Sequence, residues 1–300
     1  MGLMLDGEYL VDDPGPDSTA GGRFERAKST LRDAIPSGIG ASDLHLFAAW
    51  NCPWAHRALI TRAVLGLEEM TVSYALPRRT DQGWVFEEEP LLNASAMHQV
   101  YAAGAEAYTG RVTVPVLWDK GAKRILNNES ADIVRTLGDA FAPGRLYPVM
   151  LADEIDDWNA LIYRTFNNGV YRAGFARTQA AYDEAVVEVF ETLDRIECQL
   201  SQTRYLTGDR LTEADIRLFP TLARFDVAYH SAFKCNLKRL IDYPNVWAYA
   251  RDLYQTSGVA GTVDFDIYRE GYHSPSELRN PLGIVPIGPQ IDWWAPHGRG

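Results

Sequence analysis

Leu44-His45-Leu46-Phe47-Ala48-Ala49-Trp50 runs directly into Asn51-Cys52-Pro53-Trp54-Ala55-His56, and this join decides the fold. The first stretch is mostly apolar and reads as a buried strand. Pro53 suits the first position of a helix, where its missing N–H would have had no partner, so the pattern predicts a helix over Pro53 to Leu65. A second strand follows at Met70 to Leu76 and completes a βαβ unit. Working outward, a long loop covers Pro77 to Gly110. Two short apolar runs come next, Val112–Trp118 and Arg124–Asn127, separated by the turn Asp119-Lys120-Gly121, and then a helix from Ser130 to about Phe141.

The order βαβ then ββα, with a cysteine at the start of the first helix and Val114-Pro115-Val116 opening the third strand, is that of a thioredoxin-like α/β fold. Everything from about Leu151 to Tyr254 reads as helix, with apolar spacing such as Val186, Phe190, Leu193, Ile196 and Leu200. The expected layout is therefore an extension over 1–42, a thioredoxin-like domain over 43–142, an all-helical domain over 150–257 and an irregular tail over 258–300. The extension carries Asp, Gly and Pro clusters and one amphipathic stretch, Phe24 to Ile35, expected to pack across a core. The tail is rich in Pro, Gly and Tyr. No internal repeat is evident.

Composition narrows the function. With 46% hydrophobic and 23% charged residues, 300 residues can bury a sizeable core. A net charge of -11 leaves no electrostatic footprint for nucleic acid, whose phosphate backbone must be neutralised by clustered Lys and Arg, so no nucleic-acid partner is expected. The basic stretch Lys234 to Arg239 reads as a solvated face. No apolar run approaches the ~20 residues that span a bilayer, and Met1 to Asp13 lacks the pattern of a signal peptide, so a cytoplasmic protein with no membrane partner is expected. Three widely spaced cysteines, Cys52, Cys198 and Cys235, fit a reducing compartment and form neither a disulfide framework nor a metal-ligand pattern.

Cys52 falls at a helix N-terminus, where free N–H groups and the positive end of the dipole favour thiolate over thiol. A dithiol oxidoreductase carries a second cysteine three residues on to resolve a mixed disulfide; here that residue is Ala55, so an external thiol must do it. A buried structural cysteine is the competing reading, and Cys52 alone does not decide between them. The rest of the chain does. The proline matching Pro115 is cis in thioredoxin-like folds and turns the preceding backbone towards a ligand's cysteinyl group. Glu129-Ser130 precedes a helix, so the Ser130 hydroxyl and the helix N–H groups can bind a carboxylate while Glu129 receives an ammonium group. A thiolate, a peptide-binding edge and an α-amino-acid clamp together specify glutathione.

Longer motifs carry a resemblance: Cys52-Pro53-Trp54-Ala55-His56-Arg57, Gly83-Trp84-Val85-Phe86, Gly110 to Asp119, Asn127-Asn128-Glu129-Ser130, Asn167-Asn168-Gly169-Val170-Tyr171, Thr212 to Phe219, Phe233-Lys234-Cys235-Asn236 and Asn280 to Pro286. Over about Phe24 to Asp292 the sequence resembles the glutathionyl-hydroquinone reductases, the xi class of glutathione transferases. The resemblance implies a homodimeric enzyme that uses glutathione as co-substrate and needs no metal, in which Cys52 takes glutathione from a small aromatic conjugate. It further implies Trp84, Arg111, Val114, Glu129 and Ser130 as glutathione contacts, and Tyr171 and Tyr272 as phenols that bond the hydroquinone oxygen. Where the family tail usually reads Tyr-Tyr-x-Ser-His, this chain has Gly271-Tyr272-His273-Ser274-Pro275, which implies a roomier, less polar pocket. Asn51 also replaces a small residue.

Three alternatives compete: a glutathione lyase or conjugating transferase acting on aromatic ethers or electrophiles, a general omega-like thioltransferase or dehydroascorbate reductase, and a non-enzymatic glutathione-binding module. Cys52 disfavours the first, because a protein thiolate beside the glutathione sulfur leads to a mixed disulfide. Thr212 with Asp215 reads as a capping box. Cys198, Cys235 and His56 read as structural.

Overall fold

All six residues of Leu44–Ala49 are buried, because this strand is paired on both edges and covered on both faces. The computed structural model describes residues 2–11, 19 and 21–299. The chain divides into two units, Met1–Asp17 with Arg26–Pro143, and Ser18–Glu25 with Gly144–Gly300.

The first unit contains, in order, β1 (Leu3–Leu5), β2 (Glu8–Leu10), β3 (Leu44–Ala49), α1 (Pro53–Leu65), β4 (Thr71–Ala75), α2 (Met97–Gly104), β5 (Gly110–Arg111), β6 (Val116–Asp119), β7 (Arg124–Asn127) and α3 (Ser130–Phe141). Its main sheet has the order β4-β3-β6-β7, with β3 parallel to β4 and antiparallel to β6. The thioredoxin-like βαβ-ββα order is thus present. Helix α1 stops where Gly66 takes a left-handed conformation and its N–H and that of Leu67 return to the carbonyls of Ala63 and Arg62.

Two features differ from expectation. The N-terminal extension contains a hairpin, β1–β2, turned by Asp6 and Gly7, both at positive φ, and anchored by the buried Met4. The expected loop over 77–110 contains α2, which buries Met97, Val100 and Tyr101, one face of a helix too short to declare itself in the sequence. Residues 12–18 and 20 of the extension lie outside the described residues. From Arg26 onward the extension runs along β7, with Asp33 N–H donating to Leu126 O and Asn128 N–H to Leu31 O at 2.9 Å each, while Leu31, Ile35 and Ile39 pack on the core. The β7 edge of the sheet is thereby covered.

The second unit is helical: α4 (Ala152–Ile162), a π-helical turn Tyr163–Asn167, α5 (Gly169–Gly174), α6 (Gln179–Leu200), α7 (Glu213–Arg224), a second π turn Phe225–Tyr229, α8 (His230–Ala232), α9 (Pro244–Gln255) and α10 (Phe265–Tyr272). The Thr212–Asp215 capping box forms: Asp215 accepts from Thr212 N–H at 2.8 Å and also from Leu206 N–H and the Tyr249 hydroxyl. The stretch expected to be irregular from 258 contains α10, started by Asp264, whose carboxylate accepts from the N–H groups of Asp266 and Ile267. Among the described residues no helix is long and apolar enough to cross a membrane.

Candidate active site

Cys52 is the N-cap of α1 and 8% exposed. Its N–H bonds Ala49 O at 3.0 Å, and its carbonyl accepts from His56 N–H at 3.0 Å, the first bond of the helix. The thiol lies 3.5 Å from the carbonyl oxygen of Val114. This approach follows from the sheet, since β3 leads into Cys52 and β6, its antiparallel neighbour, pairs Val116 with Phe47. The Val114–Pro115 peptide is cis. Asn51 donates its side-chain amide to Pro77 O at 2.8 Å.

Glu129 is the N-cap of α3 and its carboxylate accepts from Ala131 N–H at 3.2 Å; its own N–H is held by Asn127 Oδ1 at 2.7 Å. The buried Ser130 hydroxyl accepts from Arg57 Nη1 at 3.3 Å. Arg57, on α1, is itself buried and stacks 4.5 Å over Trp54. One guanidinium therefore links the helix that begins at Cys52 to the helix that begins at Ser130. Trp84 is buried, with Arg79 5.2 Å over its ring, and among the described residues its indole N–H has no hydrogen-bond partner. Arg111 sits in β5 opposite Leu3, and its carbonyl accepts from the Tyr108 hydroxyl.

In the second unit the hydroxyls of Tyr171, on α5, and Tyr272, the last residue of α10, are 2.6 Å apart. Tyr229, closing the second π turn, places its hydroxyl 3.1 Å from that of Tyr272. Phe233 packs edge-on to both Tyr171 and Tyr272. Burial holds the Tyr229 and Tyr272 phenols well above their ordinary pKa, so both remain neutral hydrogen-bond donors.

The glutathione S-transferase N-terminal domain family matches residues 51–140, and the C-terminal domain family matches 179–252. The glutathionyl-hydroquinone reductase PcpF of Sphingobium chlorophenolicum is 47% identical over 96% of this chain and 96% of its own length. The chain belongs to the glutathionyl-hydroquinone reductases, the xi class of glutathione transferases. The xi-class glutathione transferase of Natrialba magadii has a TM-score of 0.91 at 40% identity, covering 100% of this chain and 96% of that one. The glutathione-bound structure of YqjG from Escherichia coli K-12 has a TM-score of 0.87 at 44% identity, covering 99% and 98%.

In this xi-class chain two neighbours of the expected site residues carry no distinct signal in the sequence. Arg57 had no signal beyond its place in the Cys52 motif, and Tyr229 was one of many aromatics. Other residues take structural places. His273 bonds Ser231 Oγ and Arg269 O and fastens the end of α10. His56 and Cys235 are buried, and burial pushes the Cys235 thiol up to about 12. Cys198 departs from expectation: it is exposed, because two residues beyond the buried Ile196 it turns to the other side of α6.

Proposed function

We propose that this enzyme reduces glutathionyl-hydroquinones to hydroquinones through a Cys52–glutathione mixed disulfide. The observation that carries the reading is the lone thiol at the N-cap of α1, against the Val114 carbonyl, with Ala55 where a resolving cysteine would stand. Free helix N–H groups favour the attacking thiolate. Glutathione is held by Val114 backbone, by Ser130 and the α3 N-terminus at its γ-glutamyl carboxylate, by Glu129 at its ammonium group, and by Trp84 and Arg111; the buried Trp84 N–H, unpartnered among the described residues, is a donor that a ligand acceptor would satisfy.

The aromatic ring of the conjugate first takes a proton at the carbon bearing sulfur, passing to its keto tautomer. The Cys52 thiolate then attacks that sulfur, forming the S–S bond and breaking the carbon–sulfur bond. The freed electron pair returns to the ring as a phenolate, which Tyr171 and Tyr272 stabilise by hydrogen bonds before it is protonated. A second glutathione thiolate attacks the mixed disulfide, releasing oxidised glutathione and restoring Cys52. Glutathione is thereby oxidised and the conjugate reduced.

The domain over 43–142 holds glutathione, and the helical domain over 150–257 with the tail holds the aromatic part. The enzyme works as a cytoplasmic homodimer, its thiols kept reduced there. Cys52→Ser assayed with a glutathionyl-hydroquinone and with 1-chloro-2,4-dinitrobenzene tests the reading: loss of the reductase activity is expected, and retention of both activities would overturn it.

A further inference from the structure

Arg224 is the last residue of α7, and its relative exposure is 0%. Its Nη1 donates to Pro220 O at 2.9 Å, and its Cζ stands 3.7 Å from the centre of the Tyr268 ring. Tyr268 and Tyr272 are one turn apart on α10 and so share a face. Tyr229 ends the π turn that starts immediately after Arg224. A buried guanidinium is favoured where electron-rich groups face it. Four phenols interact electrostatically with this one: Tyr268, whose ring it stacks on, Tyr272 one turn further along α10, Tyr229, and Tyr171. Asp264, the cap of α10, is the carboxylate beside Tyr268.

The hydroxyls of Tyr171, Tyr272 and Tyr229 form one chain with Tyr272 at its centre. Negative charge entering the chain spreads along it, and in an interior of low dielectric that charge needs a nearby cation. Burial raises the Tyr229 and Tyr272 pKa values, and Arg224 draws both back down.

We propose that Arg224 is a positioning residue of the reductase reaction: its guanidinium, fixed on Tyr268, supplies the positive field that lets the three hydroxyls take up the charge of a departing phenolate. The inference rests on the function proposed above. The phenolate oxygen receives its proton through the chain, the chain is reprotonated from solvent, and Arg224 itself neither gains nor loses a proton.

The test uses 4-nitrophenol, whose absorbance reports its ionised fraction. Bound to the wild type it should ionise at lower pH than in solution. Arg224→Met should cut the bound phenolate-to-phenol ratio about tenfold, and Arg224→Lys should restore most of it. The turnover number for a glutathionyl-hydroquinone should fall about tenfold in Arg224→Met, with the Michaelis constant for glutathione and the reduction of a simple disulfide unchanged. A second variant, Tyr268→Leu, removes the platform but keeps the charge and should lower the phenolate preference severalfold. Unchanged ionisation in Arg224→Met or in Tyr268→Leu, or no phenolate preference in the wild type, would overturn the proposal. Phenolate preference with no turnover of any glutathionyl-hydroquinone supports the role of Arg224 and overturns the proposed function instead.

Discussion

The hydroxyls of Tyr171 and Tyr272, 101 residues apart in the chain, lie 2.6 Å from each other. Two hydroxyls this close cannot both donate along the line that joins them, and Tyr272 is also within reach of the Tyr229 hydroxyl at 3.1 Å. In the proposed reaction this cluster bonds the phenolate oxygen.

Tyr272→Phe keeps the ring, and with it the edge-on packing against Tyr229 and Phe233. The turnover number for a glutathionyl-hydroquinone should fall ~10 to 100-fold while reduction of a simple disulfide, whose leaving thiolate needs no such donor, is nearly unaffected. Equal slowing of both substrates would make Tyr272 a packing residue.

Ser130→Ala should act on binding. In the proposed function the hydroxyl holds the γ-glutamyl carboxylate equally in ground and transition states, so the Michaelis constant for glutathione should rise roughly tenfold, about 1.5 kcal/mol, with little change in turnover. Because Ser130 Oγ also accepts from Arg57, the buried guanidinium loses a partner, and a modest fall in melting temperature should accompany the kinetic effect. A fall in turnover without a change in the Michaelis constant would contradict the assignment.

Accessibility and activation separate the three thiols. Cys198 is exposed, Cys52 and Cys235 are buried, and the Cys235 thiol is pushed up to about 12. Alkylation at pH 6 should favour Cys52 over the more exposed Cys198, since the helix N-terminus favours its thiolate. Cys235 should react only on unfolding. Faster labelling of Cys198 than of Cys52 at that pH would remove the argument for an activated nucleophile.

His45 should make stability depend on pH. It is buried on β3, with Nδ1 2.7 Å from Thr71 Oγ1 and Nε2 3.0 Å from Ser73 Oγ, and burial lowers its pKa from 6.5 to about 4, partly opposed by Glu89. Between those values the unfolded chain binds a proton that the folded chain does not. Stability is therefore full above about pH 6.5 and is lost as pH falls towards 4, by up to about 3 kcal/mol. Urea midpoints at pH 7, 5.5 and 4.5 should show this fall in the wild type and a shallower one in His45→Gln. Parallel slopes would rule out His45 as the source.

The strand–helix join at Cys52 was legible because two local signals coincide there: an apolar run and a proline at the first helical position. Helix α3 was legible for a similar reason, its start marked by Glu129-Ser130. The β1–β2 hairpin carried its own signal, Asp6-Gly7, but its short strands are stabilised by pairing with β5 more than a hundred residues on, which no local pattern reports. Helices α2 and α10 are short and their burial is tertiary. The same limit applies at the site. Cys52 and Ser130 sit at helix starts that sequence can mark, whereas Arg57 and Tyr229 gain their roles only from partners 73 and 43 residues away.

The central claim is that glutathione passes through Cys52. The direct measurement mixes the fully reduced enzyme with one equivalent of a glutathionyl-hydroquinone in the absence of free glutathione, and follows intact-protein and peptide masses beside hydroquinone release. One glutathione on the Cys52 peptide, formed as hydroquinone appears and removed by added glutathione, is the predicted result. Hydroquinone release with no protein adduct, or an adduct confined to Cys198, would contradict it.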